Sequence, residues 1–444
     1  MENEMNIQLQ ELYDKIEKMT SELSEEKIRI KKLSLILERE AIKRFLSGVD
    51  YSVLKEYEMA LKEYETAIEL KFDFPDAYYN WGIALDSLAE KKSGKGADSL
   101  YAQATEKYAL ATKYKLDFPD AYYNWGIALV SLAERKSGKG ADSLYVQAIE
   151  KYGLATKYKP DFHEAYNNWG IALASLASKK SGEESEDLYA QAFEKYELAT
   201  KYKSDYHKAY NNWGNALASL ASKKSGEESE DLYAQAFEKY ELAIKLKSDY
   251  YEAYNNWGNA LVSLASKKSG EESEDLYAQA FEKYELAIKH KSDYYEAYYN
   301  WGNALASLAS KKSGEESEDL YAQAFEKYEL ATKYKPDFHE AYNNWGGALC
   351  ELAQRSSGEK TDVVFREAID KFHKAMEYGG RSYNLACLHA IRNEKGESLK
   401  YLDRSLSGRE VTVEFVEQDK DWRGLSEDPD FKQLIAKYKD MDVR

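Results

Sequence analysis

One tryptophan recurs every 44 residues along most of this 444-residue chain, and a glycine follows it each time. The seven positions are Trp81, Trp125, Trp169, Trp213, Trp257, Trp301 and Trp345. A fixed period of this length is typical of a solenoid, in which each repeated unit packs chiefly on its neighbours. We therefore expect function on a continuous surface of repeated groups and not in one buried pocket.

Each unit is predicted to be a pair of antiparallel helices, A and B. In residues 160–203, apolar or small residues recur at three- and four-residue steps in both halves, which is the spacing of one helix face. Helix A should end near Lys179–Gly182, where glycine can adopt the left-handed capping conformation. Helix B should begin within residues 183–187, with Ser185 as its expected N-cap. A Pro-Asp or Ser-Asp pair should separate successive units.

The repeated residues resemble the signature of the tetratricopeptide repeat family. That signature places a bulky residue and a glycine in helix A, small residues around an aromatic in helix B, and a closing proline. Here those roles fall on Trp125, Gly126, Ala148, Tyr152, Ala155 and Pro160. Glycine in helix A and alanine in helix B should let the two helices approach closely. The resemblance implies an all-α, right-handed superhelical solenoid whose A helices form a concave wall. The family period is 34 residues, so each unit of this chain carries ten more.

The repeat boundaries predict four parts. Residues 1–28 form a coiled-coil helix, 29–71 a degenerate first repeat without the tryptophan, and 72–379 the seven 44-residue repeats. Residues 380–444 contain a shorter unit and a segment that resembles the cap found after tetratricopeptide arrays in many bacterial proteins. A cap is expected because a solenoid must cover its last hydrophobic seam.

The N-terminal helix carries a heptad pattern that predicts self-association. The a and d positions are filled by Leu9, Leu12, Ile16, Met19 and Leu23, and the pattern continues through Ile30, Leu33 and Leu37. Glu26 and Glu40 interrupt the d positions. We expect this seam to bring two or more copies together. The alternative is a long helix that folds back and caps the first repeat.

The composition narrows the class of partner. The chain has 62 Lys+Arg against 79 Asp+Glu, a net charge of −17, which disfavours nucleic acid or an anionic membrane as the main partner. A basic or neutral polypeptide fits better. Residues 1–30 lack the apolar core of a signal peptide, and no run of 18 apolar residues predicts a membrane span. We therefore expect a cytoplasmic protein that does not insert into a membrane.

The binding face is expected two residues before and after each tryptophan, where the family places its concave wall. These positions include Tyr79 and Ile83 in the first full repeat and Tyr123 and Ile127 in the second, whereas later repeats carry mostly asparagine there. An extended partner could thus place apolar side chains near the first repeats and polar groups further along. The alternative is that drift after duplication produced this gradient.

A row of asparagines is the second candidate for peptide binding. One precedes each tryptophan, at Asn80, Asn124, Asn168, Asn212, Asn256, Asn300 and Asn344. An amide can bond both the N–H and the C=O of a bound peptide regardless of its sequence. The row is similar to the asparagine array in the repeat domain of O-linked N-acetylglucosamine transferases. The alternative is that these amides bridge neighbouring helices.

Repetition argues against an enzyme, because an active site needs unlike groups to converge whereas this chain offers the same groups every 44 residues. No catalytic residue, cofactor or metal site is predicted. The predicted function is a non-enzymatic scaffold that binds an extended or helical polypeptide on the concave face. The alternative is a self-assembling structural repeat protein that forms oligomers or filaments.

Overall fold

The computed structural model describes the backbone of residues 2–442 and the side chains of residues 10–358 and 361–439. Over residues 2–442 it contains 20 α-helices and one short 3-10 helix, which confirms the predicted all-α class. The chain divides into two compact units, residues 1–216 and residues 217–444. The boundary lies within helix α9 (His207–Lys223).

The first unit is a succession of helix pairs that follows one long N-terminal helix. Its helices are α1 (Glu2–Val53), α2 (Tyr57–Leu70), α3 (Pro75–Ala89), α4 (Gly94–Tyr114), α5 (Pro119–Glu134), α6 (Gly138–Tyr158), α7 (His163–Ser178) and α8 (Gly182–Tyr202). The odd-numbered helices are A helices and the even-numbered ones are B helices. Each A helix packs on the B helix that follows it, and that B helix packs on the next A helix.

The second unit repeats this arrangement and ends in a different, shorter set of helices. The repeats continue with α10 (Gly226–Leu246), α11 (Tyr251–Ser266), α12 (Gly270–His290), α13 (Tyr295–Lys311), α14 (Gly314–Tyr334), α15 (His339–Arg355) and α16 (Glu359–Glu377). The C-terminal part contains α17 (Tyr383–Ile391), α18 (Lys395–Ser407), α19 (Val413–Gln418), the 3-10 helix Lys420–Trp422 and α20 (Pro429–Asp442). Within the described residues, none of these helices combines the length and the apolar character needed to cross a membrane.

The turn between helices A and B depends on a glycine and a serine. The glycine that opens helix B has a positive φ, for example 59° at Gly182, as the sequence predicts. The prediction that Ser185 caps helix B is wrong, because this residue lies inside α8 and its buried hydroxyl donates to the carbonyl of Ala177 at 2.8 Å. The same bond joins Ser229 to Ala221, Ser273 to Ala265 and Ser317 to Ala309. The serine therefore ties helix B to the end of helix A.

The extra residues of the 44-residue unit lie on both sides of this turn. Helix α15 ends 11 residues after Asn344, whereas α17 of the short unit ends seven residues after the equivalent Asn384. Helix α14 begins ten residues before Ala324, whereas α18 begins three residues before the equivalent Ser398. The insertion thus adds about one turn to helix A and about two turns to helix B.

The glycine after each tryptophan lets an aromatic ring of helix B lie directly on the backbone of helix A. A Cβ atom added at Gly258 would lie 2.7 Å from the ring of Tyr284, which is far inside van der Waals contact. Gly82, Gly126, Gly170 and Gly302 meet a tyrosine in the same way, and Gly346 meets Phe372. The predicted close approach of the two helices is confirmed for these pairs.

Helix α1 extends well beyond the first repeat. It runs without interruption from Glu2 to Val53, so the predicted boundary between residues 28 and 29 lies within one helix. Its side chains from residue 10 to residue 37 are exposed, and the first fully buried one is Ala41. The segment therefore does not fold back to cap the first repeat. The side chain of Leu9 lies outside the described residues.

The close approach of helices A and B can be tested at two adjacent glycines of α15. We expect Gly346→Ala to destabilise the fold by about 1–3 kcal/mol, because the new methyl group would lie 2.8 Å from the buried ring of Phe372. Gly347→Ala should instead stabilise the fold by about 0.5–1 kcal/mol, because nothing lies within 4 Å of its Cβ position and alanine favours the helix. Denaturant unfolding of both variants checks the difference. Equal effects of the two substitutions would contradict it.

Candidate binding surface on the A helices

The repeated tryptophans are structural residues that join successive repeats. The ring of Trp301 stacks against Phe281 and Tyr284 of the preceding helix B at centroid distances of 6.2 and 6.5 Å. Lys327 Nζ of the following helix B lies 4.1 Å from the centroid of the same ring. Trp257 and Trp345 have the same neighbours in their own repeats. Each indole is thus shared by three helices.

In five repeats the asparagine that precedes the tryptophan bonds to the preceding repeat. Asn124 Nδ2 donates to the hydroxyl of Tyr79 at 3.0 Å, and Asn168 Nδ2 donates to the hydroxyl of Tyr123 at 3.1 Å. The same donation joins Asn212 to Asn167, Asn300 to Asn255, Asn344 to Tyr299 and Asn384 to Asn343. Asn80 differs, because its Nδ2 donates to the carbonyl of Asp76 within its own helix. These amide groups therefore bridge adjacent A helices.

This bond explains why either tyrosine or asparagine can occupy the position two residues before the tryptophan. Tyr79, Tyr123 and Tyr299 offer a hydroxyl as the acceptor, whereas Asn167, Asn255 and Asn343 offer a carbonyl oxygen. Burial raises the pKa of Tyr79 and Tyr123 to about 12, so both phenols are neutral at ordinary pH. The two residue types are equivalent acceptors for the next repeat, although their size and exposed chemistry differ.

The residue two before the tryptophan varies together with an aromatic residue of the next repeat. The tyrosines pack on a phenylalanine of the next repeat, with centroid distances of 4.8 Å for Tyr79 and Phe118 and 4.9 Å for Tyr299 and Phe338. Where asparagine replaces the first tyrosine, the next repeat carries tyrosine in place of that phenylalanine. The matched pairs in the sequence are Tyr79 with Phe118, Tyr123 with Phe162, Asn167 with Tyr206, Asn211 with Tyr250, Asn255 with Tyr294 and Tyr299 with Phe338. Each of these six pairs therefore contains one tyrosine.

The other predicted contact residues are half-buried. Ile83 packs with Tyr79 against one core cluster of the first unit, and Ile127 packs with Tyr123 against another. In the second unit Asn259, Asn303 and Gly347 hold the equivalent position, and each of the two asparagines accepts a hydrogen bond at 2.7 Å from the buried tyrosine of its own repeat. The change from isoleucine to asparagine at this position therefore also alters packing and hydrogen bonding inside each repeat.

Two cavities lie along the A helices of the second unit, and three asparagines line both of them. One, of about 480 Å³, is lined by Tyr299, His339, Glu340, Asn343, Asn344, Gly380, Arg381, Tyr383, Asn384, Val411 and Phe415. The other, of about 410 Å³, includes Asn303, Gly347 and Glu351 beside Asn343, Asn344 and Asn384. Phe415 is 55% exposed, and Arg381 is exposed with no acidic partner among the described residues. The larger cavity therefore combines amides, aromatic rings and a guanidinium group.

The comparisons with known proteins agree with this architecture. A model of the TPR repeat family matches residues 51–87. The helix pairs of this chain are similar to tetratricopeptide repeats. No curated protein sequence matches the chain.

Several solved structures are similar to about half of this chain at low sequence identity. YrrB, described as a TPR protein with an unusual peptide-binding site, is 21% identical over 48% of this chain and 89% of its own, with a TM-score of 0.35. The thermophilic TPR protein TTC0263 of Thermus thermophilus is 16% identical over 50% and 99%, with a TM-score of 0.35. MamA from Desulfovibrio magneticus RS-1 is 16% identical over 48% and 97%, with a TM-score of 0.36.

Sequence reasoning missed Asp86, which breaks the pattern of small apolar residues at its position in the repeats. Val130 and Ala174 stand there in the next two repeats, so comparison of the repeats is the signal that could have found it. Asp86 Oδ2 accepts a hydrogen bond from the Tyr108 hydroxyl at 2.6 Å. Asp86 Oδ1 is buried and has no hydrogen-bond partner among the described residues. Burial, together with nearby Glu90, raises the pKa of Asp86 to about 7.

The C-terminal cap contains one group of possible metal ligands. The ligand atoms of Cys387, Asp419 and Asp421 lie within 4.8 Å of one another. Asp419 Oδ2 already accepts a hydrogen bond from the Tyr383 hydroxyl at 2.7 Å and lies 3.7 Å from Cys387 Sγ. Its Oδ1 accepts from the backbone N–H of Asp421, so this carboxylate is engaged in holding the cap together. Cys350 is buried in α15, and burial raises its pKa to about 12.

The bridging role of the asparagines can be tested at two positions. Asn300→Ala should lower the stability by about 1 kcal/mol, because it leaves Asn255 Oδ1 without the donor that lies 3.0 Å away. Asn80→Ala is the matched control and should cost much less, because its amide bonds only to its own helix. Thermal unfolding of both variants provides the comparison. Equal losses would show that the bond between repeats contributes nothing measurable.

The buried carboxyl of Asp86 predicts a pH dependence. Because its folded pKa lies above its unfolded value, the folded state holds the proton more tightly, and this contribution to stability is lost as the pH rises through about 7. Asp86→Asn should therefore raise the melting temperature by several degrees at pH 8 and by much less at pH 5, since each pKa unit corresponds to about 1.4 kcal/mol. A change in melting temperature that is the same at both pH values would contradict the burial of an ionisable group.

Proposed function

We propose that this chain is a non-enzymatic interaction scaffold that binds an extended or helical polypeptide along the A helices of its tetratricopeptide repeats. The observation that carries the proposal is the cavity of about 480 Å³ where the last 44-residue repeat meets the cap. Its lining mixes amides with aromatic rings and the guanidinium group of Arg381. Sites that hold peptides combine such apolar surface with a few polar groups that fix orientation.

The asparagine row supports this proposal through its carbonyl oxygens, because its N–H groups already bridge repeats. Asn168 and Asn344 each accept a bond at Oδ1 from the asparagine before them. Asn124 and Asn300 follow a tyrosine instead, and their Oδ1 atoms accept no hydrogen bond among the described residues. In those repeats the oxygen can accept from a main-chain N–H of a bound polypeptide. In the first unit, Tyr79, Ile83, Tyr123 and Ile127 would supply the apolar part of the surface beside Asn124.

The charge of the chain favours a partner that is basic or neutral overall, because the net charge of −17 repels an acidic one at long range. Arg381 adds a local preference for a carbonyl or carboxylate group of the partner. Repetition of identical groups every 44 residues supports a non-enzymatic role. We also propose a cytoplasmic location.

A second proposal concerns assembly, and a specific observation favours it. The heptad residues of α1 remain exposed, with exposed fractions of 57% for Leu12, 54% for Ile16, 64% for Met19 and 60% for Leu23. A helix with such a seam gains stability by pairing with a second helix. We propose that α1 joins copies of the chain, so that several repeat arrays act together. A self-assembling structural protein would instead grow into larger polymers.

Peptide binding can be tested with peptides selected from a random display library on the purified full-length chain. For peptides that bind the proposed site, Phe415→Ala and Arg381→Ala should each weaken binding about tenfold, because each removes a group that lines the cavity. Arg404→Ala is the matched control, since this exposed arginine lies on α18 outside both cavities. Calorimetric titration gives the affinities. Unchanged affinity in all three variants would contradict the proposed site.

Light scattering over a concentration series separates the two modes of assembly. A fixed small oligomer supports association through α1. Continued growth with concentration favours the structural polymer. Removal of residues 1–28 should lower the oligomer number in the first case, because it removes most of the exposed seam.

A further inference from the structure

The exposed apolar seam of α1 has defined ends. Its a and d positions are apolar from Leu12 to Leu37, except for Glu26, and each of these residues is exposed. Beyond Leu37 the same positions turn polar, with Glu40 and Arg44, whose side chains form an ion pair at 3.0 Å. Arg44 also pairs with Glu63 of α2 at 3.4 Å. The seam therefore stops where α1 begins to pack on its own repeat, and it is about 37 Å long at 1.5 Å per residue.

The two charged d positions discriminate between the orientations of a helix pair. In a parallel pair in register, each d residue faces the same residue of the second copy. Glu26 would then face Glu26, and Glu40 would face Glu40. The Glu40, Arg44 and Glu63 side chains of both copies would also meet at one end. Like charges in direct opposition destabilise such a pair, so this orientation is disfavoured.

We propose that two copies of the chain pair through α1 as an antiparallel, two-fold symmetric coiled coil in which Leu12 lies beside Leu37 of the second copy. The inference rests on the proposed self-association and adds its orientation and register. In an antiparallel pair, a residues face d residues of the other helix. With Leu12 beside Leu37, Ile16 faces Leu33 and Met19 faces Ile30. The apolar segment 12–37 is thus complementary to itself about its midpoint.

The charged residues fit this register. Glu26 faces Leu23 of the second copy, and no layer holds two glutamates. Each Glu26 also has Arg29 on its own helix, with 3.9 Å between the two charged groups. The g positions of an antiparallel pair lie opposite each other, which places Glu22 beside Arg29 of the second copy. Two symmetric ion pairs therefore flank the centre of the interface, and the two repeat arrays extend from opposite ends of the pair.

Disulfide trapping tests the orientation in the full-length chain. The native cysteines, Cys350 and Cys387, are buried, and burial raises their pKa values. Any disulfide that forms under mild oxidation is therefore expected to come from the engineered cysteines on exposed α1. An equimolar mixture of the Leu12→Cys and Leu37→Cys variants should form a disulfide-linked dimer under mild oxidation at least about tenfold faster than either variant alone. Ser24→Cys, on the outer face of the heptad, is the control and should not cross-link. These substitutions lie in the exposed part of α1, so they do not disturb the repeats.

A charge exchange gives a second readout. Glu22→Lys should weaken the dimer by several-fold to about tenfold, because it reverses both symmetric ion pairs. Adding Arg29→Glu should restore the affinity in the antiparallel register. In a parallel pair Glu22 would instead face Lys27 of the second copy, so Lys27→Glu would restore it. Analytical ultracentrifugation measures the dissociation constants.

The outcomes separate this inference from the self-association on which it rests. A dimer in which Leu12→Cys cross-links with itself, and in which Lys27→Glu restores affinity, overturns the antiparallel register but leaves self-association in place. A chain that sediments as a monomer at all concentrations overturns both. A dimer that cross-links only in the Leu12→Cys and Leu37→Cys mixture supports both.

Discussion

The contact between an aromatic ring and a glycine backbone sets the geometry of six described helix pairs. The ring of a helix B tyrosine lies where a Cβ atom of helix A would otherwise be, so any larger residue at Gly258 or its equivalents would push the helices apart. The tryptophan beside that glycine then packs on the previous helix B and beneath a lysine of the next one. One dipeptide thus fixes both the distance within a repeat and the contact between repeats. This dual role accounts for its constant spacing.

The helix pairs, the left-handed glycines and the close approach at the glycine after tryptophan could be predicted from the sequence, because each depends on a local pattern that repeats seven times. The role of Ser185 could not. Its prediction as a cap used only the preference of serine for helix ends, whereas in the folded chain the hydroxyl meets a carbonyl eight residues earlier. That acceptor is available only after the two helices have packed.

The candidate site also has features that the sequence predicts and features that depend on the folded structure. The sequence identified the asparagine row and the positions around each tryptophan, but it left open whether the amides contact a ligand or a neighbouring helix. The hydrogen bonds show that the N–H groups bridge repeats, and they leave some carbonyl oxygens available. Arg381 and Phe415 escaped notice because they follow the last 44-residue repeat, where no periodic pattern draws attention to single residues. They reach the cavity only through the packing of the short helices of the cap.

The paired variation across the seams limits how this array can change during evolution. Four repeats share an identical stretch of 25 residues, which makes unequal recombination between them easy. Loss or gain of a unit within the run that carries asparagine and tyrosine joins matching surfaces, such as Asn167 with Tyr250. An exchange that joins Tyr123 to Tyr206 instead would place two tyrosines in one pair, whereas each of the six native pairs contains one. Repeat number is therefore free to vary in the middle of the array, whereas the transitions at its two ends are fixed in order.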